Sequence, residues 1–319
     1  MPSPSQQTSF ALGLDLGGTK VEAALVDEHG TVLTDSRFRL PTGPATTPAG
    51  LEAAVTSLVT RAVERLPEGA SLVGAGIGSA GPVVAATGTV SPLNMAGVRD
   101  FPLRALVQSV LPDLPVRLRI DGLCITLAEH WVGAGRGVDN LMGMIVSTGV
   151  GGGLILGGRT IAGPSGNAGH IGHVEVAGFD DPCACGGRGC LEAVASGPKT
   201  VAWARSHGWT GHTGEELAAA HATGDPIAVR AVERSGRALG QAIASATNLL
   251  DLDVVAIGGG FSHVSPDLFE NARAAIARRV VFDFATKVRL VPSALSGEGP
   301  LIGAAALIHR AALVAEPVF

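Results

Sequence analysis

Hydrophobic and polar positions alternate along the chain in two patterns, which predict strands and helices in turn. Short apolar runs between glycine-containing turns are typical of buried strands, and apolar residues three or four positions apart are typical of helices. The predicted strands are three within 10–40 and one each at 71–81, 116–121, 140–147, 151–156, 254–260 and 287–293, with a short hairpin at 82–91. The predicted helices are at 47–66, 122–135, 190–207, 213–222, 225–250, 266–280 and 299–313. Strands that alternate with helices indicate α/β layers.

The same pattern gives little sign of a domain boundary. It contains no fixed-period repeat, no low-complexity tract and no proline-rich linker. The 319 residues are enough for two domains of ordinary size. We expect the boundary near residue 121, where no linker announces it.

Composition narrows the class of protein and its partners. Hydrophobic residues make up 46% of the chain and charged residues 16%, which indicates a compact globular protein. The net charge of −5 comes without a basic block, which disfavours nucleic acid and anionic membrane as partners. The N-terminal MPSPSQQTS lacks the features of a signal peptide, and glycines interrupt the most apolar stretch, 141–158. We therefore expect a soluble cytoplasmic protein.

Glycine-rich turns follow apolar runs at three places: DLGGTK (15–20), STGVGGG (147–153) and IGGGF (257–261). Without a Cβ atom, backbone N–H groups can crowd around phosphate oxygens. In the first turn Asp15 could reach a magnesium ion, and Thr19 and Lys20 could supply further donors. Each turn alone is better explained as a tight hairpin that needs positive φ, and none matches the P-loop pattern.

A second glycine pattern, GxGxxG, occurs at Gly76, Gly78 and Gly81. In a dinucleotide-binding unit this pattern opens a helix. Here Pro82 and Gly88 follow in a region without helical periodicity, so the dinucleotide interpretation lacks its structural context.

Three of the four cysteines lie within eight positions, 183–190, just after His170 and His173. In a reducing compartment such a cluster is more often metal-binding than disulfide-bonded. A disulfide within a C-x-C pair is strained, and a set of buried free thiols is the other alternative. Cys124 stands apart on a predicted helix, as expected of a small buried residue.

Taken together, these motifs resemble the ROK family of bacterial sugar kinases and related regulators, within the sugar kinase, Hsp70 and actin-like ATPases. DLGGTK, a lone Asp at the end of a later strand, STGVGGG, GH followed by CACGGRGC, and IGGGF occur in that order. The resemblance extends from about residue 10 to residue 313. ROK regulators carry a helix-turn-helix ahead of the kinase-like body, whereas here the first hairpin begins almost at the N-terminus. We therefore expect the kinase branch.

The resemblance implies an α/β, two-domain actin-like ATPase (ribonuclease H-like) fold with a cleft between the domains. Residues 1–121 plus 300–319 would form the smaller N-terminal domain. Residues 122–299 would form the larger domain, with the zinc-binding segment 166–192. Family members are often dimers or tetramers, so a homo-oligomer is expected.

The resemblance also implies ATP bound with Mg²⁺ and a structural Zn²⁺. The implied ATP and phosphate contacts are Asp15, Gly17, Gly18, Thr19, Lys20, Thr148, Gly149, Gly151, Gly258, Gly259 and Gly260. The implied zinc ligands are His173, Cys183, Cys185 and Cys190. Three thiolates and one imidazole would close a tetrahedral shell, as in structural rather than catalytic zinc sites. The metal would then support the loop that carries His173 and Glu192 towards the sugar.

Asp121 ends the strand VRLRID and matches the family's general base. From the residues alone, its position before a helix favours an N-cap, and the resemblance favours the base. The implied sugar contacts are Asn94, Asp121, His170, His173 and Glu192.

Three positions depart from the family's pattern. Ile120 replaces an Asn before the catalytic Asp, Leu123 replaces a second polar residue, and His170 stands where Glu is common. A site that recognises hydroxyls through buried polar groups discriminates strongly when one of them changes. The departures therefore bear on which sugar is accepted.

The sequence predicts ATP-dependent phosphorylation of a hexose or hexose derivative, at O6, with Asp121 as general base. A glucokinase is the first candidate and an N-acetylmannosamine kinase the second. The alternative is a sugar-binding protein or regulator with a degenerate, inactive kinase site, which Ile120, Leu123 and His170 would explain.

Overall fold

A computed structural model of the chain describes residues 7–295 and 297–314. These residues form two compact units. The first contains residues up to 132, the segment 159–168 and the residues from 297 onwards. The second contains residues 133–158 and those from 169 onwards up to the masked position.

The described residues form strands and helices that are labelled here in chain order. The strands are β1 (Ser9–Leu16), β2 (Lys20–Asp27), β3 (Phe38–Pro41), β4 (Ser71–Ser79), β5 (Val83–Val84), β6 (Thr89–Val90), β7 (Val116–Ile120), β8 (Leu141–Val146), β9 (Val150–Leu156), β10 (Arg159–Thr160), β11 (Val254–Gly258) and β12 (Arg289–Pro292). The helices are α1 (Pro48–Val63), α2 (Leu103–Val110), α3 (Asp121–Val132), α4 (Leu191–Ala195), α5 (Gly197–Ser206), α6 (Gly214–Ala222), α7 (Pro226–Leu250), α8 (Asp267–Arg279) and α9 (Gly299–His309). No helix among the described residues is long and apolar enough to cross a membrane.

The sheet of the first unit has the strand order β3-β2-β1-β4-β7. Successive residues of β1 point to opposite faces, yet nearly all of them are buried, so both faces of this strand are covered. Strands β1, β4 and β7 are parallel, with Asp15 opposite Gly78 and Gly78 opposite Arg119. The carboxyl ends of these strands therefore meet at one edge, the usual position of ligand sites in α/β sheets.

Helix α9 lies against this sheet and against α3 at backbone distance. A Cβ atom added at Gly76 in β4 would lie 1.7 Å from the Ala304 carbonyl oxygen of α9. One added at Gly303 would lie 1.8 Å from the Cys124 carbonyl oxygen of α3. Glycine at these positions is what lets the elements approach so closely.

In the second unit, four strands are hydrogen-bonded in the order β9-β8-β11-β12. Strands β8 and β9 form the antiparallel hairpin predicted at 140–147 and 151–156. Strands β11 and β12 run parallel to β8 and to each other. Helices α7 and α8 pack against each other, and α7 also contacts α4, α5 and α6. The long helix α7 is thus the element on which the shorter helices of this unit assemble.

Three features differ from the sequence-based expectation. Helix α2 was not predicted, because its eight residues bury only Leu103 and Val107 and carry too little periodicity. The helix predicted at 190–207 is two helices, because Ser196 is extended (φ −68°, ψ 151°) and a proline opens α5. The first unit continues to residue 132 instead of ending at 121, because α3 packs on α9.

The contact between β4 and α9 can be tested with Gly76→Ala. Because the added methyl group would meet backbone, which cannot rotate away, we expect a loss of about 3 kcal/mol or more in unfolding free energy. Gly297→Ala is the matched control, since no atom lies within 4 Å of its Cβ position. Urea unfolding followed by circular dichroism measures both. Equal midpoints for the two variants would contradict the described packing.

Candidate active site

The turn DLGGTK joins β1 and β2 in the first unit and is held closed by backbone bonds. The Gly17 N–H donates to the Lys20 carbonyl at 2.9 Å. From outside the turn, the Thr42 hydroxyl donates to the Gly17 carbonyl at 3.0 Å. The Thr42 N–H donates to the Thr19 carbonyl at 3.0 Å. The predicted phosphate-binding residues of this unit are therefore brought together in one rigid turn.

Two carboxylates lie at the edge where β1 and β7 end. Asp15 is buried with 6% of its surface exposed, whereas Asp121 is half-buried at the start of α3. Burial and the charge of Asp121 raise the pKa of Asp15 to about 7, against a partial lowering by Lys20. Two acidic groups in this environment form a donor set that suits a hard cation such as Mg²⁺.

Asp121 is the first residue of α3, and its carboxylate contacts the backbone of that helix. Its Oδ1 accepts a hydrogen bond from the Gly122 N–H at 2.7 Å, which satisfies a donor in the first turn of α3. The side chain is nevertheless half-exposed rather than enclosed. One carboxylate can therefore orient itself on the helix and still face a substrate.

Lys20, predicted as a phosphate donor, is part of an ion-pair network. Its Nζ lies 2.5 Å from the buried carboxylate of Glu22, which also accepts from Arg37 at 2.6 Å and pairs with Arg39 at 3.1 Å. Burial alone would raise the pKa of Glu22, but the hydrogen bonds from Arg37 and Lys20 outweigh it and hold that pKa below its usual value. Sequence reasoning missed Glu22, whose only signal is an acidic residue in an otherwise apolar strand.

The side chain of Asn94, predicted as a sugar ligand, lies against the DLGGTK turn at Gly18. A Cβ atom added at Gly18 would be 1.6 Å from Asn94 Nδ2. The structure therefore brings one predicted sugar contact and one predicted phosphate contact together within the first unit. A larger residue at Gly18 would displace the Asn94 amide from this turn.

The two departures near Asp121 are core residues. Ile120 is 3% exposed and Leu123 is 1% exposed. Both side chains are thus enclosed by protein and are not exposed at the surface of the candidate site. The third departure, His170, lies in the second unit and is half-buried.

The turn STGVGGG of the second unit is held by Glu192. The Val150 N–H donates to Glu192 Oε2 at 2.9 Å, and a Cβ atom at Gly149 would lie 2.6 Å from the same oxygen. Thr148 is exposed at the tip, and Gly151 pairs with Ile145 in the β8–β9 ladder. Glu192, predicted as a sugar contact, is therefore hydrogen-bonded to the STGVGGG turn.

His170 and His173 lie beside this hairpin. Their rings are 5.6 Å apart, and the helical turn Ile171–His173 packs against β9. Burial, with a further contribution from His173, lowers the pKa of His170. His170 is therefore neutral at physiological pH and can both donate and accept a hydrogen bond.

The predicted metal cluster is assembled in the second unit. The ligand atoms of His173, Cys183, Cys185 and Cys190 all lie within 4.8 Å of one another. Cys183 Sγ is 3.7 Å from His173 Nδ1, and Cys185 Sγ is 3.7 Å from Cys190 Sγ. In a tetrahedral site with Zn–S bonds of about 2.3 Å, neighbouring sulfurs are about 3.8 Å apart. The donor set and its spacing therefore fit a zinc ion.

A cavity of about 640 Å³ lies beside the two glycine turns of the second unit, a volume suited to a small-molecule ligand. Thr148 lines it from the first turn, and Gly260 and Phe261 line it beyond β11, after Gly258 and Gly259. Residues 197–205 and 212–218 supply further wall positions that sequence reasoning missed. Their only sequence signal is the capping box at the start of α6, which predicts a helix and no ligand.

Comparison with known proteins places this geometry in a family. Residues 11–311 match the sequence model of the ROK family. The chain belongs to the ROK family. The resemblance seen in the sequence is thereby confirmed.

Three relatives that are at least 30% identical to the chain are named as sugar kinases. The chain is 38% identical over 257 residues to an N-acetylmannosamine kinase of Yersinia pseudotuberculosis serotype O:1b (strain IP 31758). The aligned residues cover 78% of this chain and 82% of that protein. The ROK hexokinase from Thermus thermophilus is 32% identical, with a TM-score of 0.81 over 95% of this chain and 99% of the other. A ROK family glucokinase from Streptomyces griseus, in complex with glucose and AMPPNP, is 30% identical, with a TM-score of 0.81 over 94% and 99%. The chain therefore has the actin-like ATPase fold, and it is a sugar kinase.

In this ROK kinase, the raised pKa of Asp15 predicts that the free energy of unfolding depends on pH. Between its unfolded pKa of 3.8 and its folded pKa of about 7, the folded state binds more protons than the unfolded state. Stability should therefore fall as the pH rises through this window. Asp15→Asn should remove that fall and raise the unfolding free energy at pH 8 by about 4 kcal/mol, with little effect near pH 4.

Urea unfolding at pH 4.5 and pH 8, without nucleotide or added magnesium, measures the difference. Glu22→Gln is the contrasting control. The pKa of Glu22 is lowered in the folded state, so its ion pairs stabilise the protein above its unfolded pKa. That variant should lose stability at pH 8, and a gain in both variants would contradict the assignment.

Proposed function

We propose that the chain transfers the γ-phosphoryl group of ATP to the O6 hydroxyl of a hexose derivative, with Asp121 as general base. The observation that carries the proposal is the pairing of a half-exposed Asp121 with a buried Asp15 at the carboxyl ends of β1 and β7. Phosphoryl transfer needs a base for the hydroxyl proton, positioning of the phosphates and neutralisation of their charge. Asp121 would supply the base, and Asp15 with Mg²⁺ would neutralise the charge of the phosphates.

ATP positioning is assigned to the glycine turns. Backbone N–H groups of the turns that contain Gly17, Gly18 and Gly149 would donate to phosphate oxygens, and Thr19 and Thr148 would add hydroxyl groups. Asp15 would hold Mg²⁺, whose charge offsets that of the phosphates. The cavity beside Gly260 and Phe261 would hold the nucleoside.

The sugar is assigned to residues that the two turns hold in place. Asn94 lies against Gly18, and Glu192 accepts from Val150, so each contact is oriented by a phosphate turn. His170 and His173 would complete the set, with His170 in its neutral form. Within each unit the proposed sugar contact would thus be oriented before the sugar arrives.

We propose N-acetylmannosamine as the first substrate, ahead of glucose. The support is the 38% identity to a relative named for that sugar, together with His170 in place of the Glu common in the family. A coupled assay of ADP release with N-acetylmannosamine, glucose, mannose and N-acetylglucosamine tests the order through kcat/KM. Because Ile120 and Leu123 are core residues, they give little support to a degenerate site. The absence of turnover with any of the four sugars would nevertheless revive that alternative.

We further propose that His173, Cys183, Cys185 and Cys190 hold a structural zinc ion. A shell of four protein ligands leaves no position for substrate, so the metal would act by folding the segment between His173 and Glu192. The stretch from Cys183 to Cys190 contains no large hydrophobic residue, so metal binding would supply folding free energy there.

Asp121→Asn separates the base from the helix cap. Without a base, turnover should fall about 10²–10⁴-fold, while the sugar KM changes far less, because the amide keeps the shape and the Gly122 hydrogen bond. The unfolding free energy should not fall, since Asn caps a helix about as well as Asp and the repulsion of Asp15 is removed. Steady-state kinetics and urea unfolding measure the two effects. Near-normal turnover would remove Asp121 from the mechanism.

Elemental analysis should find one zinc per chain, and Cys190→Ser should lower both the zinc content and the thermal midpoint. The metal-binding free energy of a structural site is folding free energy, so the two losses should occur together. Cys124→Ser is the control, because Cys124 is buried in the first unit, outside the cluster. Wild-type protein with well under one zinc, or equal zinc loss in both variants, would contradict the assignment.

A further inference from the structure

Arg234, on the third turn of α7, reaches two segments at once. Its Nη2 lies 2.5 Å from Asp181 Oδ2, and its Nη1 donates to the Val194 carbonyl oxygen at 3.2 Å. The arginine side chain is only 11% exposed and that of Asp181 only 27%. Such a pair is far less screened than an ion pair in water.

Aromatic rings fix the guanidinium further. It lies 5.0 Å from the Phe179 ring centroid and 5.4 Å from that of Trp203. Arg237, one turn further along α7, lies 4.9 Å from the same Phe179 ring. Stacking of this kind holds a planar guanidinium in one orientation, which an ammonium group could not match.

The two segments that Arg234 contacts carry different parts of the site. Asp181 lies two residues before the ligand Cys183, and its carbonyl accepts from the Gly189 N–H at 2.9 Å, next to the ligand Cys190. Through Asp181, Arg234 is therefore linked to both ends of the loop 183–190, which carries the three cysteines.

The other contact is to the end of a short helix. Val194 is on α4, whose second residue, Glu192, positions the STGVGGG turn through Val150. The last carbonyl groups of a helix have no partner within it, and Arg234 supplies one. One guanidinium thus spans the metal loop and the helix that bears Glu192.

We propose that Arg234 is a positioning residue that ties the metal-binding loop to α4, so that retention of the metal and alignment of Glu192 depend on the same side chain. The part that concerns Glu192 rests on the proposed function; the part that concerns the loop does not. No ligand atom and no reacting group is contacted by Arg234, so its effect on both would be indirect.

The same loop contains a matched control. Arg188 pairs with Asp180 through two bonds of 2.7 Å, but both side chains are exposed, at 60% and 79%. This pair lies within the loop and reaches neither α7 nor α4. Exposed pairs contribute little to stability, whereas removal of an outer partner of a metal site is costly.

The test measures zinc release to a chromogenic chelator, and the KM for N-acetylmannosamine together with kcat. Arg234→Gln should speed zinc release by about 10–100-fold and raise the sugar KM by about tenfold, with little change in kcat. Asp181→Asn leaves the Val194 contact in place, so it should speed zinc release but leave KM nearly unchanged. Arg188→Gln should alter zinc release by less than about fivefold.

Zinc release from Arg234→Gln at the wild-type rate, or equal release from Arg188→Gln, would overturn the proposal. If Arg234→Gln does not fold, Asp181→Asn alone tests the loop contact by the same criterion. Zinc release needs no substrate, so failure of the proposed kinase activity would show separately, as a wild-type protein that releases zinc slowly but phosphorylates no sugar.

Discussion

The backbone of α9 touches β1, β4 and α3 directly, and the position of both carboxylates depends on that contact. Glycines at the crossing points let carbonyl groups pass where any side chain would intrude, as between Gly76 and Ala304 or between Gly303 and Cys124. With α9 as a common support, the end of β1 and the start of α3 are held in fixed register. Asp15 and Asp121 are therefore neighbours whether or not their charges favour it.

The proximity of Asp15 and Asp121 destabilises the folded state electrostatically, which indicates a functional role for the pair. A carboxyl group buried beside another acid, with its pKa raised to about 7, destabilises the ionised folded state. Groups with such shifts are concentrated at functional sites. In the proposed reaction Asp15 would hold Mg²⁺, whose charge would offset the repulsion, and Asp121 would accept the hydroxyl proton. The second unit has a different device, since Glu192, the metal loop and Arg234 form one chain of contacts around the STGVGGG turn.

The sequence predicted the features that depend on local pattern. The buried strands β1, β8 and β11 follow from apolar runs that end in glycine turns. The cysteine spacing indicated a metal site, and the family resemblance supplied its four ligands. The break between α4 and α5 was not predicted, because the apolar periodicity continues across Ser196 although the backbone does not. The boundary at residue 132 was not predicted either, since it depends on which partner α3 packs against.

The contacts within the site were beyond the sequence for a similar reason. Asn94 and Gly18, or Glu192 and Val150, are far apart in the chain and meet only through the packing of their units. The family resemblance supplied roles for these residues but not the contacts between them. Glu22 and Arg234 belong to no motif, and their partners were visible only in the folded chain.

The central claim is phosphoryl transfer from ATP to O6 of a hexose derivative, and ³¹P NMR of the product tests it most directly. The protein is incubated with ATP, Mg²⁺ and N-acetylmannosamine, and the phosphomonoester signal is recorded with proton coupling. Phosphate on O6 is coupled to the two protons of a methylene group and should give a triplet. A doublet, which reports phosphate on a ring hydroxyl, or the absence of any sugar phosphate with each sugar of the panel, would contradict the account.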